Sequence, residues 1–592
     1  MKALTGLDAS FLYLETPEMP MHVGSFNLCE LPPGFKGSFH KAVQDHLLKR
    51  RHLAPVFTRK LLAMPLNLGH PAWVEAESVD IGFHVRSAEP PKKKGLKGAA
   101  LTLAEAHALV AQLHSELIDR RYPLWEFHVF ERIQLPESQG GKLVAGVLSK
   151  IHHAALDGKG GVMLANALLD VTPVPREVPP PDGRKHRRAQ AGSAEMLGEV
   201  FSSSLGQLAR FARALPSAVR TMGATLARQS ISNSAAGPRG RLPMKLAPHT
   251  PFNVGIGTER VFAAATLPLA ECKALGKSVG GSLNDVVLWL CSTALRDYLL
   301  KHHSLPAKSL VAAMPVSLRT EAAADAGAQE LGNQVSMSLV ELATHLAHPL
   351  KRMNAILAST AKVKSSMQSL KGLLPTDYPS LLAPWLVGGV ARQALNAYGK
   401  SGLAGYLPTF TNLAISNVPG PPVPLYLAGA RYLSFHPLSI IVHGVALNIT
   451  VQTYAGQIDF GIVGDRQALP HADELATAIE AAFRQAQTLM GSAEAAVPAA
   501  APVEPAGKAA GKPLKKPTAT KASVNTRKTA ITQATNPEKL EASLSGKPRK
   551  RPDTEGLPLR SKNPTPTVSS HGKTVNQAPA KPVRRKPDAQ KA

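Results

Sequence analysis

Lys150-Ile151-His152-His153-Ala154-Ala155-Leu156-Asp157-Gly158 closes the apolar run Leu143-Val144-Ala145-Gly146-Val147-Leu148-Ser149. The run reads as a buried strand, and the Asp-Gly pair as a turn that ends it. Neighbouring strand residues point to opposite faces, so only one of the two imidazoles can face a site at this strand end. A histidine titrating near neutral pH takes a proton from an alcohol or thiol, the work of a general base. Composition alone would give His-His-x-x-x-Asp-Gly roughly 0.004 times in such a chain. A hydrogen-bonded pair of core histidines is the competing reading.

Outward from this stretch, residues 1–172 mix strand-like runs such as His22–Leu31 with a helical pattern over Leu101–Leu117, whose apolar positions recur at three and four. That alternation predicts an α/β domain. Proline and then charge remove the periodicity in Pro173–Arg188, the start of a linker region spanning 173–250. Within it, Leu197, Phe201, Leu205, Leu208, Leu215, Val219, Met222 and Leu226 alternate with Arg210, Arg213, Arg220 and Arg228, a basic amphipathic helix interrupted at Pro216. Such a helix either lies on an anionic bilayer or packs its apolar face on its own protein. A second α/β stretch spans 251–490, with a helix over Ser282–Leu300 and strands over Tyr432–His436, Gly444–Tyr454 and Gln457–Val463.

The chain has 592 residues, enough for several domains, and carries 68 Lys+Arg against 42 Asp+Glu, a net charge of +26. Residues 491–592 hold 20 of those bases and 7 of the acids, so half the net charge lies in the last sixth. This tail has 14 prolines and no aromatic residue, a composition that cannot bury enough apolar surface to offset its ordering entropy and predicts disorder. Cys29, Cys272 and Cys291 are too scattered for a disulfide framework or a zinc site, which fits a reducing cytosol. No signal peptide and no 18-residue apolar segment is read, so neither secretion nor membrane spanning is expected.

The motifs in order resemble one family. His152-His153-x-x-x-Asp157-Gly158 is the hallmark of the acyl-CoA-dependent acyltransferases that include chloramphenicol acetyltransferases and peptide-synthetase condensation domains. Leu7-Asp8-Ala9-Ser10-Phe11-Leu12, Glu15 and Pro20-Met21-His22-Val23-Gly24 look like the N-terminal signature of the bacterial wax ester synthase/diacylglycerol acyltransferases. Phe83-His84-Val85-Arg86, Pro123-Leu124-Trp125-Glu126, Ser282–Leu288 with Asn284-Asp285, Met314–Arg319 and Ser416–Pro421 resemble later motifs of that family, and the likeness covers about residues 1–490. It implies two chloramphenicol-acetyltransferase-like α/β domains, with mixed sheets flanked by helices and the active site in a tunnel between them. It also implies acyl transfer from acyl-CoA to a long-chain fatty alcohol or diacylglycerol, without a covalent intermediate.

By the resemblance His153 is the general base and His152 supports it. Asp157 holds the loop through an arginine, and Gly158 keeps the approach open. Pro123, Leu124 and Trp125 lie near the acyl path in the family, although an aromatic after Pro-Leu at a strand start is by itself a core anchor. Asn284 and Asp285 open a helix, where such residues cap free amides, while the family places them at the substrate channel; both readings stand. Phe130-Glu131-Arg132-Ile133 and Lys159-Gly160-Gly161 depart from the family's usual residues, and the basic tail lies outside its catalytic body.

No phosphate loop, dinucleotide fingerprint or Gly-x-Ser-x-Gly elbow occurs, so acyl-CoA is expected as substrate, with no cofactor and no metal. Lipid substrates suggest a cytoplasmic protein attached peripherally to the inner membrane or to lipid inclusions, and apolar Leu381–Val390 with its Trp385 reads either as one contact or as a buried core helix broken at Pro384. The alternatives are a same-fold acyltransferase with another acceptor and a protein binding nucleic acid or another polyanion through its tail.

Overall fold

The computed structural model describes residues 2–63, 70–88, 100–156, 160–180, 246–317, 335–370 and 392–495. All belong to one unit spanning Met1–Ala500. The helix expected over 195–229, the apolar segment 381–390, Asp157, Gly158 and residues 496–592 of the basic tail lie outside the described residues.

The first half contributes α1 (Gly6–Leu14), β1 (His22–Glu30), α2 (Phe39–Arg50), α3 (Leu103–Ser115), β2 (Trp125–Gln134), β3 (Leu143–His152) and α4 (Gly160–Leu168). The second contributes β4 (Arg260–Pro268), α5 (Leu269–Ser278), α6 (Leu283–Lys301), β5 (Val311–Ser317), β6 (Val335–Glu341), α7 (Pro349–Leu370) and α8 (Arg392–Lys400). It continues with β7 (Leu413–Val418), β8 (Tyr426–Leu427), β9 (Ala430–Tyr432), β10 (His436–Leu438), β11 (Leu447–Tyr454), β12 (Gln457–Asp465) and α9 (Ala472–Ala495). The fold is α/β, with mixed sheets flanked by helices.

One sheet runs β8-β9-β1-β3-β2 and ends on Val85–Ser87, with β10 also paired to β1. The other runs β6-β5-β7-β11-β12-β4. Strands β8, β9 and β10 thus come from the second half of the chain and complete the sheet that carries the histidine pair. Close approach demands glycine at two joints. A Cβ on Gly24 of β1 would stand 1.8 Å from the Ser149 carbonyl oxygen, and one on Gly461 of β12 would stand 1.7 Å from that of Pro437.

One face of the first sheet packs on α2 and α4 through Phe39, Val43, Leu47, Phe127, Val147 and Leu168. The other packs on α3, whose start is fixed by a capping box between Thr102 and Glu105. The second sheet buries Ile415, Ile449, Phe460 and Ile462 against Val286, Leu290 and Leu295 of α6 and Leu475, Ile479 and Phe483 of α9. That apolar stripe of α9 belongs to a helix running to Ala495, past the tail boundary drawn at 490. The two sheets share a core where Phe26, Phe130, Phe262 and Val463 meet.

Candidate active site

Strand β3 ends at His152, which the neighbouring strands hold on both sides. It stands opposite His22 in β1, and its backbone amide donates to the Leu124 carbonyl at 3.0 Å. The His152 side chain is wholly buried, and its Nδ1 accepts from the Ala154 amide at 3.1 Å, capping a single 3₁₀ turn, His153–Ala155. That bond leaves the proton on Nε2, which stands 3.2 Å from Glu15 Oε1, within ion-pair distance although short of a well-directed hydrogen bond.

Glu15 is itself buried and held from three sides. Its Oε1 accepts from the Met21 amide at 3.1 Å, and its Oε2 from Arg120 Nε and Nη2 at 2.9 and 2.6 Å. Burial alone would raise this carboxyl, but His152, Arg120 and the Met21 amide together hold it below its ordinary range.

The turn presents His153 differently. Its amide donates to the Met21 carbonyl at 2.8 Å, and its ring stacks on Phe11 with centroids 4.0 Å apart and planes 16° apart. Nδ1 is shut off from solvent and turns toward the residue's own carbonyl without the alignment of a full hydrogen bond, while the residue as a whole keeps some solvent exposure. Among the described residues no group bonds to Nε2. Burial, with His152 alongside, pulls His153 down to about 4, so the imidazole is neutral at physiological pH. A neutral imidazole with its proton on Nδ1 offers Nε2 as a base.

Helix α1 supplies this wall. Thr5 accepts from the Asp8 amide at 3.1 Å and caps it, Ala9 and Leu12 pack with Leu124 and Ala154, and Phe11 and Glu15 reach the two histidines. Behind His152 the sheet carries a buried polar layer. Lys150 is fully buried and donates to the Glu116 carbonyl at 2.8 Å and to Glu126 Oε2 at 3.3 Å. Burial would raise Glu126, but His128, Lys150 and Arg86 hold it down at about 2. His22 donates to the His114 carbonyl at 2.8 Å, and burial drives its imidazole well below 6.5.

The sequence and the architecture match known proteins. The profile described as wax ester synthase/diacylglycerol acyltransferase catalytic domain matches residues 4–287, and the family's C-terminal domain matches 331–487. The chain belongs to the wax ester synthase/diacylglycerol acyltransferase family. It is an acyltransferase. A putative diacylglycerol O-acyltransferase of Mycobacterium tuberculosis H37Rv is 34% identical over 492 residues, 82% of this chain and 100% of that protein. The probable diacylglycerol O-acyltransferase tgs2 of the same strain is 34% identical over 82% of this chain and 98% of its own length. The solved wax ester synthase/diacylglycerol acyltransferase from Marinobacter aquaeolei VT8 is 26% identical, with a TM-score of 0.56 over 83% of this chain and 100% of that one.

The remaining residues singled out by the family motifs fall in three places. Asp157 and Gly158 lie outside the described residues. Pro123 and Leu124 lead into β2, which starts at Trp125, and all three are buried. Trp125 donates from Nε1 to the Phe57 carbonyl at 3.3 Å and stacks on His84 at 4.1 Å, while Leu124 meets His152 through its backbone carbonyl. Asp285 is buried at the start of α6 and accepts from the Ser282 amide and hydroxyl and the Thr360 hydroxyl, each at 2.7 Å. Its carboxylate is thereby occupied in capping α6 and tying it to α7. Asn284 is half-buried, its Nδ2 4.0 Å from Met314 Sδ. Arg120, 105 residues from Glu15, carries no motif signal of its own. The buried His152 N–H calls for a nearby acceptor, and the buried carboxylate of Glu15 in turn calls for a cation.

Proposed function

We propose that this acyltransferase moves a long acyl group from acyl-CoA to the hydroxyl of a lipid alcohol, diacylglycerol or a long-chain fatty alcohol. Its products are then triacylglycerol or wax ester, and free CoA. His153 Nε2 takes the acceptor's proton as the oxygen attacks the thioester carbonyl. The tetrahedral intermediate collapses, the carbon–sulfur bond breaks, and the thiolate recovers the proton from His153 as CoA leaves. Atoms balance without a covalent enzyme intermediate, and acyl-CoA enters as substrate with no cofactor in the scheme.

The observation that carries this reading is the contrast within the pair: His152 is sealed and tied to the Ala154 amide and Glu15, whereas His153 is stacked, neutral and partly open. His152, Glu15 and Arg120 act as positioning residues that fix the turn presenting His153. Asp157 and Gly158 take the loop-holding and access roles, and Asn284, with the segment Pro123 to Trp125, borders the substrate channel between the two sheets. The relatives' names as diacylglycerol acyltransferases support the acceptor class, and a lipid acceptor places the enzyme at a membrane or lipid-inclusion surface.

Acceptor profiling of the purified chain with palmitoyl-CoA tests the reading, with CoA release followed by thiol titration. Diolein or hexadecanol should support turnover at least about tenfold above small water-soluble alcohols and amines. Preference for a small polar acceptor would refute it.

A further inference from the structure

Four large apolar side chains stand out from one ridge of the second half. Tyr406 is 88% exposed, Phe410 47%, Leu407 43% and Leu246 42%. A single antiparallel bridge joins Ala247 to Thr409, with the Ala247 amide donating to the Thr409 carbonyl at 2.9 Å, and so sets Leu246 beside Phe410. The ridge is buttressed from beneath. Asn253 and Asn412, both fully buried, bond each other at 2.8 Å and hold the backbone at Pro248, Thr411 and Gly444. A satisfied buried amide pair of this kind rigidifies its surroundings, so the apolar side chains are held outward on fixed backbone. Contiguous exposed apolar surface of this type marks an interaction site.

Charge selects the partner. Residues 200–258 contain seven Lys and Arg and no Asp or Glu, and residues 378–458 contain three and none. The first stretch reaches the described fold at Leu246, and the second at Arg392, where α8 leads into Tyr406. Among the described residues, 246–258 hold no Lys, Arg, Asp or Glu and 392–458 hold Arg392, Lys400 and Arg431 but no carboxylate, and Lys400, 65% exposed, meets Glu18 of the first half at 3.5 Å. Apolar and aromatic side chains beside basic ones are the chemistry of a surface that inserts below an anionic phospholipid headgroup layer.

We propose that Leu246, Tyr406, Leu407 and Phe410 form the face by which the enzyme docks on an anionic phospholipid surface. The choice of a lipid surface rests on the reading of a lipid acceptor, but a failure of that reading appears in turnover, and a failure of docking in vesicle binding.

The test is flotation of the full chain with vesicles of phosphatidylcholine containing 30% phosphatidylglycerol, and with phosphatidylcholine alone. The wild type should bind the anionic vesicles more tightly, and less so in high salt. Each aromatic removed from an inserted face costs about tenfold in partition, so Tyr406→Ser with Phe410→Ser should weaken binding about a hundredfold. Turnover on a short-chain acyl-CoA with a soluble alcohol should stay unchanged. Unaltered vesicle binding by the double variant overturns the proposal, as does a change in oligomeric state by ultracentrifugation in place of lost vesicle binding. A second variant guards against misfolding. Tyr406→Cys can be labelled with a polarity-sensitive fluorophore, because Cys29, Cys272 and Cys291 are buried. The probe should shift to the blue on anionic vesicles, and an unshifted spectrum overturns the assignment.

Discussion

Acidification from pH 7 to pH 5 perturbs the polar layer between α3 and the first sheet directly. Burial pulls His107 and His114 down to about 3 and His153 to about 4, against an ordinary value of 6.5. Below pH 6.5 the unfolded chain takes up a proton at each of these positions while the folded chain does not. Their contribution is therefore intact above 6.5 and drains away as the pH falls toward the folded values. One pH unit of unequal protonation is worth about 1.4 kcal/mol per group, so 1.5 units cost about 2 kcal/mol each and about 6 kcal/mol for the three. That is comparable with the roughly 5–15 kcal/mol that holds a typical protein folded. His22, His84, His128 and His436 are depressed by burial too and push the same way. Glu15 and Glu126 begin to lose their stabilising effect only below about 4.5, outside this window. Guanidinium unfolding followed by tryptophan fluorescence should show a midpoint about 1 M lower at pH 5 than at pH 7. His107 sits with its ring 6.0 Å from Phe26 and 5.1 Å from Phe262. His107→Phe should therefore remove about 2 kcal/mol of the pH dependence. A midpoint that moves by less than about 0.2 M would refute the neutral buried histidines.

Three further outcomes are expected. With His153 at about 4, kcat/KM should change by less than about a fifth between pH 8 and pH 6, whereas a base at 6.5 would lose about three-quarters of its activity; the pH–rate profile decides. Glu15→Gln should lower kcat about 10- to 100-fold with KM for acyl-CoA nearly constant, since it frees the His152 ring without touching the base, and a pure KM effect would contradict this. Asp285→Ala strands the Ser282 amide and the Thr360 hydroxyl and should cost about 2–4 kcal/mol in chemical denaturation.

The histidine pair was legible because strand, turn and imidazoles are adjacent in sequence. The long helices α3 and α6 were legible for a similar reason, their apolar periodicity and capping residues being local. The wall around the pair was not. Phe11 and Glu15 lie more than 130 residues before His152 and His153, and no periodicity couples such distant positions; the signature over Leu7–Gly24 pointed to a family without giving its physical reason. Strand β10 has three residues, too short for alternation to register, yet it ties the second half of the chain to β1. Buried Lys150, Glu126 and His128 break the apolar alternation of β2 and β3, which charge alone would have assigned to solvent. Asp285 shows the opposite case, where the helix-cap reading of the residue type describes what its carboxylate touches.

Removing the His153 imidazole tests its role as the base most directly. Release of CoA by His153→Ala, with palmitoyl-CoA and diolein or hexadecanol and the unfolding midpoint checked alongside, should fall about 10²- to 10⁴-fold with the fold retained. Turnover within about tenfold of the unsubstituted chain would contradict it.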